Sequence, residues 1–284
     1  MSVSVTEQQW DSVRESVRRT ADRFCELVSS ISDPNAMATA EWSVADTAAH
    51  LTTISFLNTK LLDAAPIPFQ RPGLNEAIAA VNIEGVHGLN DQVMSYFTER
   101  DAGQLLRMLR DNIDLMLTAS KPRDPAETFS WLGGARLPLA GMFAHMVNEL
   151  LIHGDDIARA LRLPWEMPPE DAALFFDLFY IGLASGDSGR LLADSKRPRQ
   201  RSIAAEFRSG YTTPVTFVVR NGSLTVRPPG PRTDVTIRFD PATLNKMMFG
   251  RISRQRAVLT RKIIIGGPRP WLLPAFLRTV RFPS

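Results

Sequence analysis

The sequence is poor in cysteine and lacks a long apolar run. Cys25 is its one cysteine, so an internal disulfide is excluded, which is typical of a reducing compartment. No stretch reaches the roughly 18 consecutive apolar residues that a transmembrane helix needs. The N-terminal residues are polar and charged, unlike the apolar core of a signal peptide. These absences predict a cytoplasmic protein without a membrane-spanning segment.

Charge divides the sequence into two unlike parts. Residues 196–284 contain 18 Lys and Arg but 3 Asp and Glu. Residues 1–195 contain 15 Lys and Arg and 27 Asp and Glu. Such a split suggests two domains with opposite fields. The basic part could bind nucleic acid, dock on the acidic part, or attract an anionic small molecule. We favour the last two, because its arginines are scattered through strand-like segments and form no tail or helix face.

Hydrophobic spacing predicts helices first and strands later. Helical periodicity covers 6–32, 43–65, 73–99, 101–120, 138–162 and 169–186. Short alternating or β-branched segments follow at 202–208, 215–220, 223–227 and 234–239, with Asn221-Gly222 as a hairpin signal. The segment 185–202 reads as a linker. We therefore predict a four-helix bundle over 1–190, followed by a small α+β domain with a mostly antiparallel sheet over 200–284.

The helix predicted over 138–162 carries two metal-binding residue types on its apolar side. At about 100° per residue, His153 falls within the stripe formed by residues such as Met146 and Leu150, and Glu149 lies at its edge one turn earlier. A buried charged carboxylate is costly unless it is paired or bound to a metal. The helix therefore offers a carboxylate and an imidazole that both point inward.

His50 repeats this arrangement on an earlier helix, where it shares a face with Ile54 and Leu57. Together with Glu149 and His153 it makes three protein ligands. Catalytic zinc sites use this number and leave one position open for water or substrate. The spacing alone also allows a simpler interpretation, in which the histidines are satisfied core residues and Glu149 is hydrogen-bonded to His153.

His145 competes for a place in this site, because it lies one turn before Glu149. It is about 12 Å along the helix axis from His153 at a rise of 1.5 Å per residue. One ion is unlikely to bind both rings. We expect His145 to be a neighbour of the site or a surface residue.

Two segments that contain these residues resemble known motifs. WSVADTAAHL at 42–51 is similar to the W-S-x-x-D-x-x-A-H-L signature of DinB-like helical bundles. NELLIHGDDIARAL at 148–161 resembles the E-x-x-x-H-x-x-D-x-A-R-A-L segment of the mycothiol-dependent maleylpyruvate isomerase family. The resemblance implies that His50, Glu149 and His153 bind a divalent metal, with zinc preferred over iron, nickel or manganese. It also implies a role for Asp156, which could orient a ligand or the thiol cofactor, or pair with Arg159.

The segment at 234–267 is similar to the sterol-carrier-protein-type-two pattern. That pattern is a strand, an acidic N-cap, a helix ending in a Gly-basic pair, a short helix with a central Ala, and a strand; Thr260-Arg261 departs from it where Gly is common. In the isomerase family such a domain packs on the bundle and supplies a basic residue to the site. Arg220 and Arg227 are our candidates for that catalytic role, although each could equally be a solvated strand arginine.

The two resemblances imply a metal- and thiol-dependent isomerase or S-transferase. The metal would act as a Lewis acid that holds external mycothiol as a thiolate, the nucleophilic form. The thiolate would add to a double bond conjugated to a carboxylate or carbonyl. Isomerisation follows if the bond rotates and the thiol leaves, and conjugation follows if the thiol stays. A basic second domain suits an anionic substrate through Arg–carboxylate pairing.

Three other functions stay open at this point. A metal-dependent hydrolase would activate water in the open position. A hydrophobic-ligand-binding protein would have a structural metal with four ligands and an apolar tunnel in residues 200–284. Nucleic-acid binding by the basic part is the third, and salt-dependent retention on DNA would test it. The partners we expect are a small-molecule substrate and a low-molecular-weight thiol, with no nucleic acid and no membrane.

Overall fold

The N-terminal part of the molecule is a helical bundle. The computed structural model describes residues 5–63, 73–186, 202–221 and 223–279. In chain order its first helices are α1 (Glu7–Ser29), α2 (Val44–Leu62), α3 (Leu74–Ala80), α4 (Val86–Tyr96), α5 (Ala102–Ala119) and α6 (Leu139–Leu161). The long helices α1 and α2 both pack on α5 and α6. A short antiparallel hairpin, β1 (Thr128–Ser130) and β2 (Arg136–Pro138), precedes α6.

Local signals fix the start of α2, which carries His50. The Ser43 hydroxyl accepts a hydrogen bond from the Asp46 backbone N–H, and the Asp46 carboxylate accepts one from the Ser43 N–H, both at 3.1 Å. This reciprocal pair is a capping box, with Asp in place of the usual Glu or Gln. Arg100 donates to Asp46 at 2.7 Å. The cap is thereby tied to the segment before α5, and helix geometry then sets the position of His50.

The helix α6 is buried on nearly every side from Leu139 to Ala158. Small residues permit this close packing. A Cβ on Gly141 would lie 2.9 Å from the Leu178 carbonyl oxygen, and one on Gly154 would lie 2.2 Å from the Trp165 ring. The apolar stripe of the sequence predicted a one-sided helix, whereas the structure surrounds α6 with neighbours. Glu149 and His153 consequently lie inside the protein.

The helical segment after α6 contains a π-helical turn. It consists of α7 (Pro169–Leu174), the turn Phe175–Tyr180 and α8 (Ile181–Ser185). The Ile181 N–H bonds to the carbonyl of Phe176, five residues earlier. Such a turn shifts side chains out of α-helical register and often occurs at functional sites. Here Phe175 and Phe179 stack at 4.7 Å between ring centroids.

Among the described residues of the C-terminal part, five strands form one sheet. They are β3 (Ile203–Arg208), β4 (Val215–Arg220), β5 (Ser223–Arg227), β6 (Val235–Phe239) and β7 (Ile263–Gly266), in the order β5-β4-β3-β6-β7. The β3–β6 pair is parallel and the other three pairs are antiparallel. The helices are α9 (Pro241–Met248), α10 (Arg254–Leu259) and α11 (Leu273–Thr279). Asp240 caps α9 and is the acidic N-cap of the sterol-carrier-like pattern.

An aromatic cluster joins the sheet to the bundle. Phe176 of the π-helical turn lies among Phe207, Phe217 and Phe239, with ring centroids 5.7, 6.0 and 4.9 Å away. All four rings are buried. Burying side chains of this size is the largest favourable contribution that such a contact can make. The two parts therefore share one hydrophobic core.

Polar contacts from α9 reinforce this packing. The Asn245 amide donates to the Asn148 side-chain oxygen and to the Ala172 carbonyl, both at 3.0 Å. Lys246 forms an ion pair with Asp155 at 2.6 Å. Two of these partners lie on α6, so α9 holds the sheet domain against the helix that carries Glu149 and His153.

The predicted fold class is confirmed. A helical N-terminal part precedes a smaller α+β part with a mostly antiparallel sheet, and the β4–β5 hairpin follows the predicted strands with Asn221 at a φ of 52°. Gly222 and nearly all of the predicted linker at 185–202 lie outside the described residues, so the boundaries 1–190 and 200–284 stay predictions. None of the described helices combines the length and hydropathy of a bilayer-crossing segment.

Asp177 joins the π-helical turn to the loop before β4. Both of its carboxylate oxygens accept from the Thr213 backbone N–H, at 3.1 and 3.2 Å. Burial raises the pKa of Asp177 to about 7, because the bond from Thr213 offsets only part of the desolvation. The pKa of this carboxyl is about 4 in the unfolded chain and about 7 in the folded protein. Between these two pH values the carboxyl therefore takes up a proton when the chain folds.

The stabilisation from Asp177 should therefore be complete below pH 4 and decline as the pH rises to about 7. The Asp177→Asn variant keeps an acceptor for Thr213 but cannot ionise. We expect its free energy of unfolding to vary less with pH in this window and to exceed the wild-type value at pH 8 by about 1–3 kcal/mol. Denaturant unfolding from pH 4.5 to 8.5 measures this, with the exposed Asp114→Asn as the control. Parallel curves for wild type and Asp177→Asn would contradict the prediction.

Candidate metal centre

The side chains of His50, Glu149 and His153 meet where α2 faces α6. The Nε2 atoms of His50 and His153 lie 3.5 and 3.4 Å from the same Glu149 oxygen, Oε2. All three residues are buried, and their candidate ligand atoms lie within 4.8 Å of one another. The structure thus brings together the three residues that the sequence indicated as metal ligands.

This geometry fits a divalent ion. Zinc–nitrogen and zinc–oxygen bonds of about 2.0–2.1 Å in a tetrahedral site separate neighbouring donor atoms by about 3.3–3.4 Å. The two Nε2–Oε2 distances are close to this value. The chemistry of the donors also fits, because two imidazoles and one carboxylate form the ligand set of several catalytic zinc sites.

Two of the three ligand-type residues, Glu149 and His50, favour the charge states that a cation needs. Burial alone would favour a protonated Glu149, but the imidazoles of His145, His153 and His50 outweigh it and hold the pKa of Glu149 well below its usual range. Burial lowers the pKa of His50 and of His145, which favours the neutral imidazole. Metal ligands must be in these forms, an ionised carboxylate and a neutral imidazole.

His145 contacts the other oxygen of Glu149. Its Nε2 lies 3.4 Å from Oε1, while its ring packs against Trp131 and Phe179 with centroids 5.2 and 5.3 Å away. The two carboxylate oxygens therefore have different neighbours, so Oε2 is left to face His50 and His153. Of the two positions expected for His145, the structure gives the one beside the site.

Asp156 lies behind His153 and connects it to two arginines. Its Oδ2 is 3.3 Å from Nδ1 of His153. Arg251 donates to Asp156 from Nε at 3.0 Å and from Nη2 at 2.6 Å, and Arg159 donates at 3.2 Å. Burial opposes protonation of His153, but Asp156 and Glu149 outweigh it and raise the pKa of His153 to about 8. Asp156 therefore makes both contacts that the sequence left open, one to the ligand-type histidine and one to Arg159.

Arg251 is a residue of the sheet domain that reaches this site, and sequence reasoning missed it. It follows Gly250, which has a φ of 71° just after α9. The turn directs the next residue back toward α6, where its guanidinium bonds to Asp156 with two nitrogens. The signal was present in the Gly-basic pair of the sterol-carrier-like pattern, which is Gly250-Arg251 here.

Arg220 and Arg227 lie elsewhere. Arg220 is exposed at the end of β4, and Arg227 on β5 donates to the Arg232 carbonyl at 2.6 Å. Neither belongs to the described residues that line the cavity at the site. The reason is topological: β4 and β5 form the edge of the sheet farthest from β6, whereas the chain reaches α6 through α9, which follows β6.

A cavity of about 550 Å³ opens onto the three ligand-type residues. Aromatic rings form much of its wall. Trp42 lies with its ring centroid 4.7 Å from that of His50 and 5.9 Å from that of His153, and Trp131 covers His145. Arg159 and Arg251 supply positive charge to the same cavity. The site is therefore open to a ligand of considerable size.

Comparison with protein families identifies the helical part. The family model described as the mycothiol maleylpyruvate isomerase N-terminal domain matches residues 13–158, more than half of the chain. The chain belongs to this family. A second model, the SCP-2 sterol transfer family, matches residues 192–270. The two matches fall in the order that the sequence resemblances predicted.

Remote likenesses to solved structures accompany these matches. A crystal structure of a mycothiol-dependent maleylpyruvate isomerase is 12% identical, with a TM-score of 0.44 and coverage of 86% of this chain and 90% of that one. A variant of that enzyme is 11% identical, with a TM-score of 0.47 and coverage of 90% of this chain and 92% of that one. A stereoselective inverting sec-alkylsulfatase from Pseudomonas sp. is 13% identical, with a TM-score of 0.29, and the match covers 80% of this chain but 32% of that one. A search of curated proteins gives no match.

The contact between Arg251 and Asp156 leads to a prediction about metal affinity. In Arg251→Ala, Asp156 loses its two-nitrogen partner and should orient His153 less firmly. We expect zinc affinity to fall by about 10- to 100-fold, the usual effect of removing such an outer partner. The zinc affinity of Arg251→Lys should lie between those of wild type and Arg251→Ala, since an ammonium keeps the charge but cannot donate two parallel hydrogen bonds to Asp156. Competition with a chromogenic chelator measures the affinity.

Arg254→Ala is the matched control, because Arg254 is exposed on the same domain three residues away. Its zinc affinity should equal that of the wild type. Equal affinities for Arg251→Ala and Arg254→Ala would show that Asp156 does not depend on Arg251.

Proposed function

We propose that this protein is a metal- and mycothiol-dependent isomerase or S-transferase that acts on a small, electrophilic, anionic substrate, with zinc as the first candidate metal. The observation that carries the proposal is the convergence of His50 and His153 on one oxygen of Glu149 at the wall of an open cavity. Membership of the mycothiol maleylpyruvate isomerase N-terminal domain family supports the thiol and the reaction type.

Each residue at the site has a role in holding the ion or its ligands. His50, Glu149 and His153 would bind the metal, which would supply the Lewis acidity that keeps an external thiol as a thiolate near neutral pH. Asp156 lies 3.3 Å from Nδ1 of His153, and this contact would orient the ring so that Nε2 faces the ion. Arg251 fixes Asp156 in turn. These supports limit the movement of the ligand set.

The thiol has to come from outside the chain. Cys25 is fully buried in α1. Burial raises the pKa of its thiol to about 11, so the thiolate is scarce at neutral pH, and reactive cysteines need the opposite environment. Since the sequence contains no other cysteine, nucleophilic sulfur chemistry at the metal centre requires a second molecule.

Anion binding falls to arginines that line the cavity. Arg159 has 55% of its side chain exposed, so its guanidinium has donors left for a substrate carboxylate. Most of the hydrogen-bonding capacity of Arg251 is used by Asp156 and by the Phe249 carbonyl. We therefore assign the role that the sequence suggested for Arg220 and Arg227 to Arg159, with Arg251 as its neighbour.

The alternative of an apolar-ligand carrier lacks the features that would mark it. A structural metal would need a closed set of four ligands, whereas this site faces a large cavity. The inner face of the sheet packs around Phe176 and the buried Phe276 of α11. Aromatic rings of the protein thus occupy the part of the described sheet domain where a tunnel would be expected.

Removal of one ligand should abolish metal binding. We expect His153→Ala to retain less than a tenth of the zinc bound by wild type, because two donors cannot replace a three-ligand site. His87→Ala is the control, since His87 lies at the cavity with 62% of its side chain exposed and contacts Glu41. Elemental analysis after dialysis gives the stoichiometry, and circular dichroism confirms folding. One equivalent of zinc in His153→Ala would end the assignment.

Thiol dependence separates the proposed activity from hydrolysis. Zinc-loaded protein should convert a cis-alkene acid such as maleylpyruvate only when mycothiol is present. A product of unchanged mass indicates isomerisation, and one heavier by the thiol indicates conjugation. His153→Ala should be inactive in both conditions. Turnover that persists at the same rate without thiol would instead favour a metal-dependent hydrolase.

A further inference from the structure

A second, apolar cavity of about 170 Å³ adjoins the metal centre. It lies between α2, the short helices α3 and α4, and the segment after β1. Its wall is formed mainly by branched aliphatic side chains, which are Ile54, Leu57, Leu61, Ile78, Leu89 and Val93. Most of its surface is apolar, so a charged group placed among these side chains would lose its hydration without gaining partners, which is costly.

This apolar cavity lies directly beside the candidate site. His50, His145, Glu149 and Trp131 line both the apolar cavity and the large polar cavity. The metal-binding side chains therefore lie at the border between the two cavities. One substrate can place a polar head in the larger space and an uncharged arm in the smaller one.

One polar group in the wall of the apolar cavity lacks a good partner. Asn58 is 1% exposed. Among the described residues, the Asn58 side chain donates one weak hydrogen bond, to the Met146 sulfur at 3.9 Å. Burying an amide with so weak a partner is unfavourable. Its place in the cavity wall suits a ligand with one polar atom along its arm.

We infer that the substrate carries an uncharged apolar arm, an aliphatic chain of about six carbons or a single ring, that occupies the cavity between α2 and α4. An engineered cavity of about 150 Å³ with a similar lining accepts benzene, so the volume is adequate. The inference rests on the proposed function for the reactive head. It predicts that a substrate with such an arm binds more tightly than a compact dicarboxylate, which has no group to place among the aliphatic side chains.

A series of straight-chain carboxylates tests the arm directly. Butanoate, hexanoate, octanoate and decanoate are titrated calorimetrically into zinc-loaded protein without thiol. Each methylene that enters the cavity should improve the affinity by about threefold. We expect a gain of roughly fiftyfold or more from butanoate to octanoate, and a smaller increment for decanoate once the cavity is full.

Filling the cavity should remove this gain. In Leu57→Trp the larger ring takes the space of the arm, so octanoate should bind no more than about twofold better than butanoate. Phe56→Trp is the matched control, because residue 56 lies next to Leu57 on α2 but does not line the cavity; it should keep the full gain. Leu89→Trp fills the same cavity from the side of α4. It serves as the test variant if Leu57→Trp does not fold.

Two results would overturn the inference. One is an affinity that does not change with chain length in wild type. The other is a gain that survives in a folded Leu57→Trp or Leu89→Trp variant, which would place the arm elsewhere. Zinc content is measured on the same samples, and no thiol is present. A failure of the metal and thiol chemistry is therefore recorded separately from a failure of the apolar subsite.

Discussion

The structure of the site depends on the paired contact between Asp156 and Arg251. Asp156 is almost fully buried on α6, and it faces the ring of His153 on one side and the guanidinium on the other. A buried carboxylate without these partners would be strongly destabilising. With them, it holds the imidazole and joins the sheet domain to the bundle. Because one contact does both, the ligand geometry and the domain packing are linked.

The inward positions of His50, Glu149 and His153 could be predicted from the sequence because they depend on local periodicity. Their role as metal ligands came from the family resemblance and stays a prediction. Residues one turn apart on a helix face the same side, so Glu149 and His153 had to lie together, and the capping box at Ser43 set the phase of His50. Both signals act within one helix. The hairpin around Asn221 and the cap at Asp240 are local in the same sense, and they too were correct.

The main partner of Asp156, Arg251, could not be predicted in this way, because its contact is long-range. Arg251 meets Asp156 across 95 residues of sequence, and only the tertiary fold selects it over Arg220 or Arg227. The π-helical turn at 175–180 is a second example. Its apolar residues have helical spacing, and the shifted register comes from packing Phe175 toward the site and Phe176 into the sheet. The burial of α6 on all sides has the same origin.

The neighbouring acids Asp155 and Asp156 are each paired with a different cation of the sheet domain, Lys246 and Arg251. A bundle that formed first would present both acids at the surface, with Asp156 still solvated and the ring of His153 free to turn. Docking of α9 would dehydrate Asp156 and lock the ring in one step. In that order of events, the orientation of His153 would be fixed only when the sheet domain had docked on the bundle.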